Sequence, residues 1–167
     1  MRPAAALLVV LAGASCALAA GGSRIISAHG VRFTVPPGWQ RVKAASDGPV
    51  TDPRTLLVVG TAGVRPRASQ CQIAAYRIPP AAAVVVVVGW SSVAAAGGGS
   101  PRPGRAPLEK LIAVRRPSFE CFSGRGAAAD VLLGGKPYQV NVLVGSRASR
   151  QRVAQALAVG RSFNLAR

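Results

Sequence analysis

The sequence predicts an α+β fold, a single antiparallel sheet of about six or seven strands with a C-terminal amphipathic helix packed on one face. Three observations predict it. Five consecutive valines, residues 84–88, stand between Pro79-Pro80 and Gly89-Trp90. "AADVLLGGKPYQVNVLVG" sets two apolar runs on either side of a diglycine. "SRASRQRVAQALAVGRSF", close to the last residue, carries apolar side chains at helical spacing.

The first element is a leader. "MRPAAALLVVLAGASCALAA" has one early charge, Arg2, then an uncharged apolar run and Ala17-Leu18-Ala19. A basic tip, a short apolar run and a small-residue A-x-A site are the layout of a secretory signal peptide, here residues 1–19. The expected location is therefore secreted or associated with the cell envelope. Two alternatives stay open. The uncharged stretch 4–22 is close to the length that a membrane anchor needs. "GASC" is similar to a bacterial lipobox at Cys16, with Gly13 where Leu is usual.

Residues 20–30 read as a short lead-in and 31–167 as one domain of ordinary size. "VRFTV" alternates Val31, Phe33 and Val35 with Arg32 and Thr34, the period of a half-buried strand. Pro36-Pro37-Gly38 ends it. "TLLVVG" and "CQIAAYRI" read as the next strands. The valine run is too short to span a bilayer as a helix, which takes about 20 apolar residues. Valine is stiff at χ1 and suits a pleated sheet, so this is the expected central strand, covered on both faces. Residues 94–107, "AAAGGGSPRPGRAP", read as a Gly/Pro-rich loop. "LEKLIAVRR" fits either a helix or a strand, and "SFECF" reads as a short strand.

At Gly134-Gly135 the positive φ that glycine allows predicts a tight hairpin. After it Tyr138, Val140, Val142 and Val144 share one face, and Gln139 and Asn141 the other. In the last helix Val153, Ala156, Leu157 and Gly160 follow the i, i+3, i+4, i+7 rule. Arg150, Arg152 and Gln155 face outward, and Ser146 or Ser149 is the expected N-cap.

Loss of the leader leaves two cysteines, Cys71 and Cys121. An even number in an exported chain predicts a disulfide. Lys and Arg number 21 against 5 Asp and Glu, a net charge of +16. Such a surface favours anionic partners, here an anionic envelope polymer or lipid headgroups. The basic residues are scattered, without the clustered face and aromatics of a nucleic-acid binder, so nucleic acid is the third reading. The candidate anionic-surface contacts are Arg102 and Arg105 in the loop and Arg150 and Arg152 on the helix.

Catalytic parts are sparse. His29 is the only histidine, and it stands before a strand, without the neighbours that a triad or zinc site needs. The acids are Asp47, Asp52, Glu109, Glu120 and Asp130; paired-carboxylate chemistry needs two of them opposed across a cleft. No G-x-S-x-G frame, complete P-loop or metal-ligand spacing occurs. No cofactor and no metal site are expected.

The order of elements, from "FTVPPGW" to "YQVNVLVG…RVAQALAVGRSF", resembles the PsbP/Mog1-like α+β group, in which an early strand ends in a P-x-G-W turn and a final helix ends near "SF". The chain also resembles small exported proteins of high-GC bacteria. The first resemblance implies a binding or assembly factor and supplies no catalytic residue. The expectation is a non-catalytic, exported binding or accessory protein. The alternatives are a secreted hydrolase, which a pocket joining Glu120, Asp130 and His29 would favour, and a nucleic-acid binder.

Overall fold

The computed structural model describes residues 22–45, 52–69, 73, 75–96, 102–104, 106, 112–114 and 124–167. Among these, twelve strands and one helix follow in order. They are β1 (Arg24–Ala28), β2 (Val31–Val35), β3 (Trp39–Arg41), β4 (Arg54–Thr61), β5 (Arg65–Pro66), β6 (Tyr76–Arg77), β7 (Ala83–Gly89), β8 (Arg102–Pro103), β9 (Ile112–Val114), β10 (Gly124–Leu133), β11 (Lys136–Val144), α1 (Arg150–Arg161) and β12 (Asn164–Leu165).

The α+β class holds, and the helix contacts a sheet face. The single sheet does not hold. The described strands form three sheets: a seven-stranded one in the order β3-β4-β7-β11-β10-β8 with β9 also on β10, a three-stranded one in the order β1-β2-β12, and the pair β5-β6. β8 runs parallel to β10, so the large sheet is not wholly antiparallel.

The physical cause lies at "PPGW". Pro36 and Pro37 have no N–H to give to a ladder. Gly38 has φ +80° and Trp39 N donates to Pro36 O at 3.3 Å, the type II turn that needs glycine at its third position. The turn carries the chain out of the small sheet and into the large one. β2 therefore pairs with β1 and β12 rather than with the valine strand. β1 itself lies in the stretch read as a lead-in. "CQIAAYRI" contributes only β6 among the described residues, in the pair that covers the opposite face.

β7 is the central strand, between β4 and β11. Its alternation divides the valines between two cores. Val85 and Val87 pack under β2, α1 and Phe163. Val84, Val86 and Val88 face Val42, Val64, Ala75 and Tyr76 on the other side. All five are at most 1% exposed. Burial of a valine is worth about 1.5–3 kcal/mol, so five valines covered on both faces contribute several kcal/mol to the fold. Among the described residues no helix is long and apolar enough to cross a membrane.

Two local expectations hold. Leu133 pairs with Lys136, which leaves Gly134 and Gly135 as a two-residue turn with φ +56° and +74°. Ser149 caps α1, its hydroxyl accepting from Arg152 N at 3.1 Å. "LEKLIAVRR" contributes the strand β9 rather than a helix among its described residues.

The Cys71–Cys121 disulfide is corrected. No disulfide bond is present among the described residues, and both cysteines lie outside them. The described residues close through strand ladders and two apolar cores. Residues 1–19 and Cys16 also lie outside the described residues.

Candidate functional site

The β1–β2 hairpin turns on His29 and Gly30, both at positive φ (+46° and +77°). Two left-handed residues in a two-residue loop are a type I′ turn, whose twist matches the flanking strands. Histidine tolerates that region better than most side chains. The turn holds His29 at the rim of a cleft of about 480 Å3.

The cleft lies where β4 begins, β7 ends and β11 begins. Leu56, Gly89 and Tyr138 form its apolar wall, and Trp90 and Ser91 continue from the end of β7. Gly89 packs closely there: a Cβ would stand 2.7 Å from Leu56 Cδ1, the movable end of that side chain, and 3.1 Å from the Tyr138 ring. Trp90 N donates to Pro137 O at 3.2 Å, which closes the end of the ladder. Arg54 and Lys136 supply basic groups, and Asp52 the one acidic group among the lining residues.

Asp52 is engaged with its neighbour. Ser91 Oγ donates to Asp52 Oδ2 at 2.6 Å, and Ser91 N to Oδ1 at 3.1 Å. Tyr138 is 7% exposed, and burial raises its phenol pKa above the ordinary value. Its ring meets Phe163 edge-on, with centroids 5.3 Å apart.

A second depression, of about 360 Å3, adjoins the cleft and shares His29 and Leu56 with it. Arg41, Lys43 and Thr55 also line it. Leu56 reaches both because the β4–β7 register shifts between Thr55 and Leu57, a bulge that re-aims side chains at the edge of a sheet.

The structure distributes the sequence-derived candidates as follows. His29 lines the cleft. Asp130 does not, because it pairs with Gln139 and points to the opposite face from Tyr138, bonded to Gln139 Nε2 at 3.0 Å. Asp47, Glu109 and Glu120 lie outside the described residues, as does Arg105. Arg102 belongs to β8, beyond β10 at the sheet edge. Arg150 is exposed at the start of α1, and Arg152 is half-buried and donates to Gln155 Oε1 at 2.8 Å. α1 packs on β11, β7 and β2, whereas β8 pairs with β10. Among the described residues no cluster of three or more His, Cys, Asp and Glu forms a metal site.

Nothing local in the sequence marks Asp52, Ser91, Lys136 and Tyr138 as companions of His29. One signal was present: each lies at or next to the end of a strand, where loops gather at one end of a sheet. Which ends coincide is set by strand order, and that is not written locally. Compared with protein families and with functionally curated proteins, the sequence matches no family model and no curated protein.

Proposed function

We propose that this chain is an exported, non-catalytic binding or accessory protein that holds a small anionic ligand with an apolar body in the His29 cleft. The observation that supports this reading is the division of the cleft into an apolar wall of Leu56, Gly89 and Tyr138 and a rim bearing Arg54, Lys136 and His29. Small-molecule sites are mostly apolar concavities with a few placed polar groups. The single carboxylate among the lining residues, Asp52, accepts from Ser91 and stands against two basic side chains, Arg54 and Lys136. The leader at residues 1–19 supports export. The likeness to the PsbP/Mog1-like group, carried by β2 with Trp39 and by α1, supports a binding role by analogy of fold.

The test uses Trp90 as reporter. Titration of the full chain with phenylacetate gives a saturable change in Trp90 fluorescence that is absent in Trp90→Phe and about tenfold weaker in Lys136→Gln. No saturable change with any aromatic anion removes the cleft reading.

One observation favours a second reading, a secreted hydrolase. Ser91, Asp52 and His29 line the same cleft, and the Ser91 hydroxyl already donates to a carboxylate. A nucleophile is recognised by such a hydrogen bond to a base. Hydrolysis of p-nitrophenyl acetate that is lost in Ser91→Ala would establish this reading in place of binding alone.

The arginines Arg102, Arg105, Arg150 and Arg152 are the proposed contacts to an anionic envelope polymer or lipid headgroups. Replacement of all four by serine tests them: retention on vesicles rich in phosphatidylglycerol falls if they make the contact and stays level if they do not.

A further inference from the structure

The geometry points to the exposed face of the β5–β6 ribbon as a binding surface for a linear phosphate polymer, with Arg65 and Arg77 as its central contacts. The surface lies apart from the His29 cleft and does not depend on the cleft reading.

The ribbon is built by a turn and an anchor. Val64 N donates to Thr61 O at 3.3 Å and Gly63 has φ +81°, so the chain turns where β4 ends. β5 then pairs antiparallel with β6, and the ladder continues from Arg67 N to Ala75 O at 2.9 Å. Tyr76 fixes the ribbon against the large sheet. It is 4% exposed, it packs in the second core, and its hydroxyl accepts from Ala45 N at 3.2 Å.

Alternation sets the arginines outward. Tyr76 faces the core, so its neighbour Arg77 faces away. Arg77 stands directly across from Arg65 in the register, and both are exposed. Opposed residues of an antiparallel pair have Cβ atoms about 5 Å apart, and like charges placed there are destabilising. The acidic side chains of the described residues are engaged elsewhere, Asp52 with Ser91 and Asp130 with Gln139. Both belong to the end of the large sheet where β7 finishes. The ribbon lies at the other end, after β4 and before β7 begins. Its two opposed charges have no counter-charge among the described residues, and a bound anion would offset their repulsion.

Further basic groups extend the surface. A depression of about 430 Å3 beside the ribbon is lined by Arg67, Ile78, Arg125 and Ser146, among others. Arg125 is exposed, as is Arg147 next to Ser146. No acidic side chain lines the depression among the described residues.

These groups define the partner. Guanidinium forks bind carboxylate or phosphate through paired hydrogen bonds. A carboxylate presents its oxygens in one plane, whereas a tetrahedral phosphate presents them in several directions and suits two forks that approach from adjacent strands. A succession of arginines suits a chain of such groups. The exposed large hydrophobics of the described residues, Ile25 and Val93, lie on β1 and after β7, away from the ribbon. The apolar side chains that help a basic surface enter a bilayer are therefore not beside these arginines. Tyr76 is buried and offers no ring for a nucleic-acid base to stack on. A phosphate polymer held by its charges fits this surface best.

The test titrates the full chain with inorganic polyphosphate by calorimetry. Arg65→Gln with Arg77→Gln lowers affinity by at least about tenfold, the effect of losing hydrogen bonds between charged groups. The slope of log affinity against log salt becomes shallower by roughly one to two. Without polyphosphate the same variant keeps or raises its Tm, because the repulsion is gone. Arg41→Gln with Lys43→Gln removes as much charge from exposed positions elsewhere and keeps affinity within about twofold, since distant charges are screened. Equal losses in the two variants would show attraction to net charge alone and overturn the inference, as would unchanged affinity in the ribbon variant. Ribbon-dependent binding to phosphatidylglycerol vesicles without binding to polyphosphate assigns the surface to lipid and also overturns it. If the ribbon variant has a lower Tm, Arg65→Lys with Arg77→Lys decides, because it keeps the charge and removes the forks. A severalfold loss of affinity then supports the opposed forks, and parental affinity overturns them.

Discussion

Tyr138 and Phe163 meet edge to face with ring centroids 5.3 Å apart, and Phe163 also packs on Phe33 at 5.7 Å. Phe163 follows the last helix, Phe33 belongs to β2 and Tyr138 to β11. Three aromatic rings thus join the small sheet, the segment after α1 and the wall of the cleft. Such pairs contribute about 0.5–1.5 kcal/mol beyond their buried area, so the cleft wall is fixed by the core behind it.

Burial raises the pKa of Tyr138, and the sign of its linkage to stability follows. In the unfolded chain the phenol ionises near its ordinary value of about 10. Above that pH the unfolded state has lost a proton that the folded state keeps. This contribution to stability is complete below pH 10 and is lost as pH rises through the raised folded value. Urea unfolding at pH 8 to 11 shows a fall in stability above pH 10, and Tyr138→Phe makes the fall shallower.

Ser162 ties the end of α1 to β2. Its Oγ accepts from Thr34 N at 2.9 Å and is 2.6 Å from Val159 O, to which it donates. Ser162→Ala removes both links and lowers stability by about 1–2 kcal/mol. Hydrogen exchange at the Thr34 amide, measured by NMR, rises more than at Val86.

Gly145 lies where the chain leaves β11 and meets the Pro79-Pro80 turn. Gly145 N donates to Ala82 O at 2.9 Å, and Arg147 N to Pro80 O at 2.8 Å. A Cβ on Gly145 would overlap the carbonyl oxygens of Pro79 and Pro80, which are backbone atoms that cannot turn aside. Gly145→Ala therefore costs at least the upper end of the overpacking range, about 3 kcal/mol. Thermal unfolding by circular dichroism measures it.

α1 begins against its own dipole. Its first turn contains no acidic residue and carries Arg150 and Arg152 at the positive end. Anions are favoured there and cations are not. Arg150→Glu stabilises the protein by about 0.3–1 kcal/mol at low salt, and the gain shrinks in 1 M NaCl. A loss of stability in urea titrations would show that Arg150 makes a contact that outweighs the dipole.

Local chemistry was legible where it depended on neighbours in the chain. The diglycine hairpin, the Ser149 cap and the helical spacing of Ala156 and Leu157 needed only short-range rules. The two-sided burial of valines 84–88 followed from the lack of any polar residue between them. Asn141 shows the limit. It alternates with Val140 and Val142 as a residue on the outer face should, yet it is fully buried between Val86 and Ala128 with its Oδ1 unpaired. Alternation tells which face a side chain takes, but not whether that face is covered.

By itself, the sequence determined the valine strand, the hairpin, the capped helix, the excess of positive charge and the scarcity of catalytic groups. Each depends on residue type and on spacing of a few positions. Tertiary structure decided that the strands divide among three sheets, that a turn of two prolines and a glycine moves the chain between two of them, and that His29, Asp52, Ser91, Lys136 and Tyr138 surround one cleft. Those outcomes depend on strand order and on which layer covers which face. Both are set by contacts between residues far apart in the chain, which no local pattern encodes.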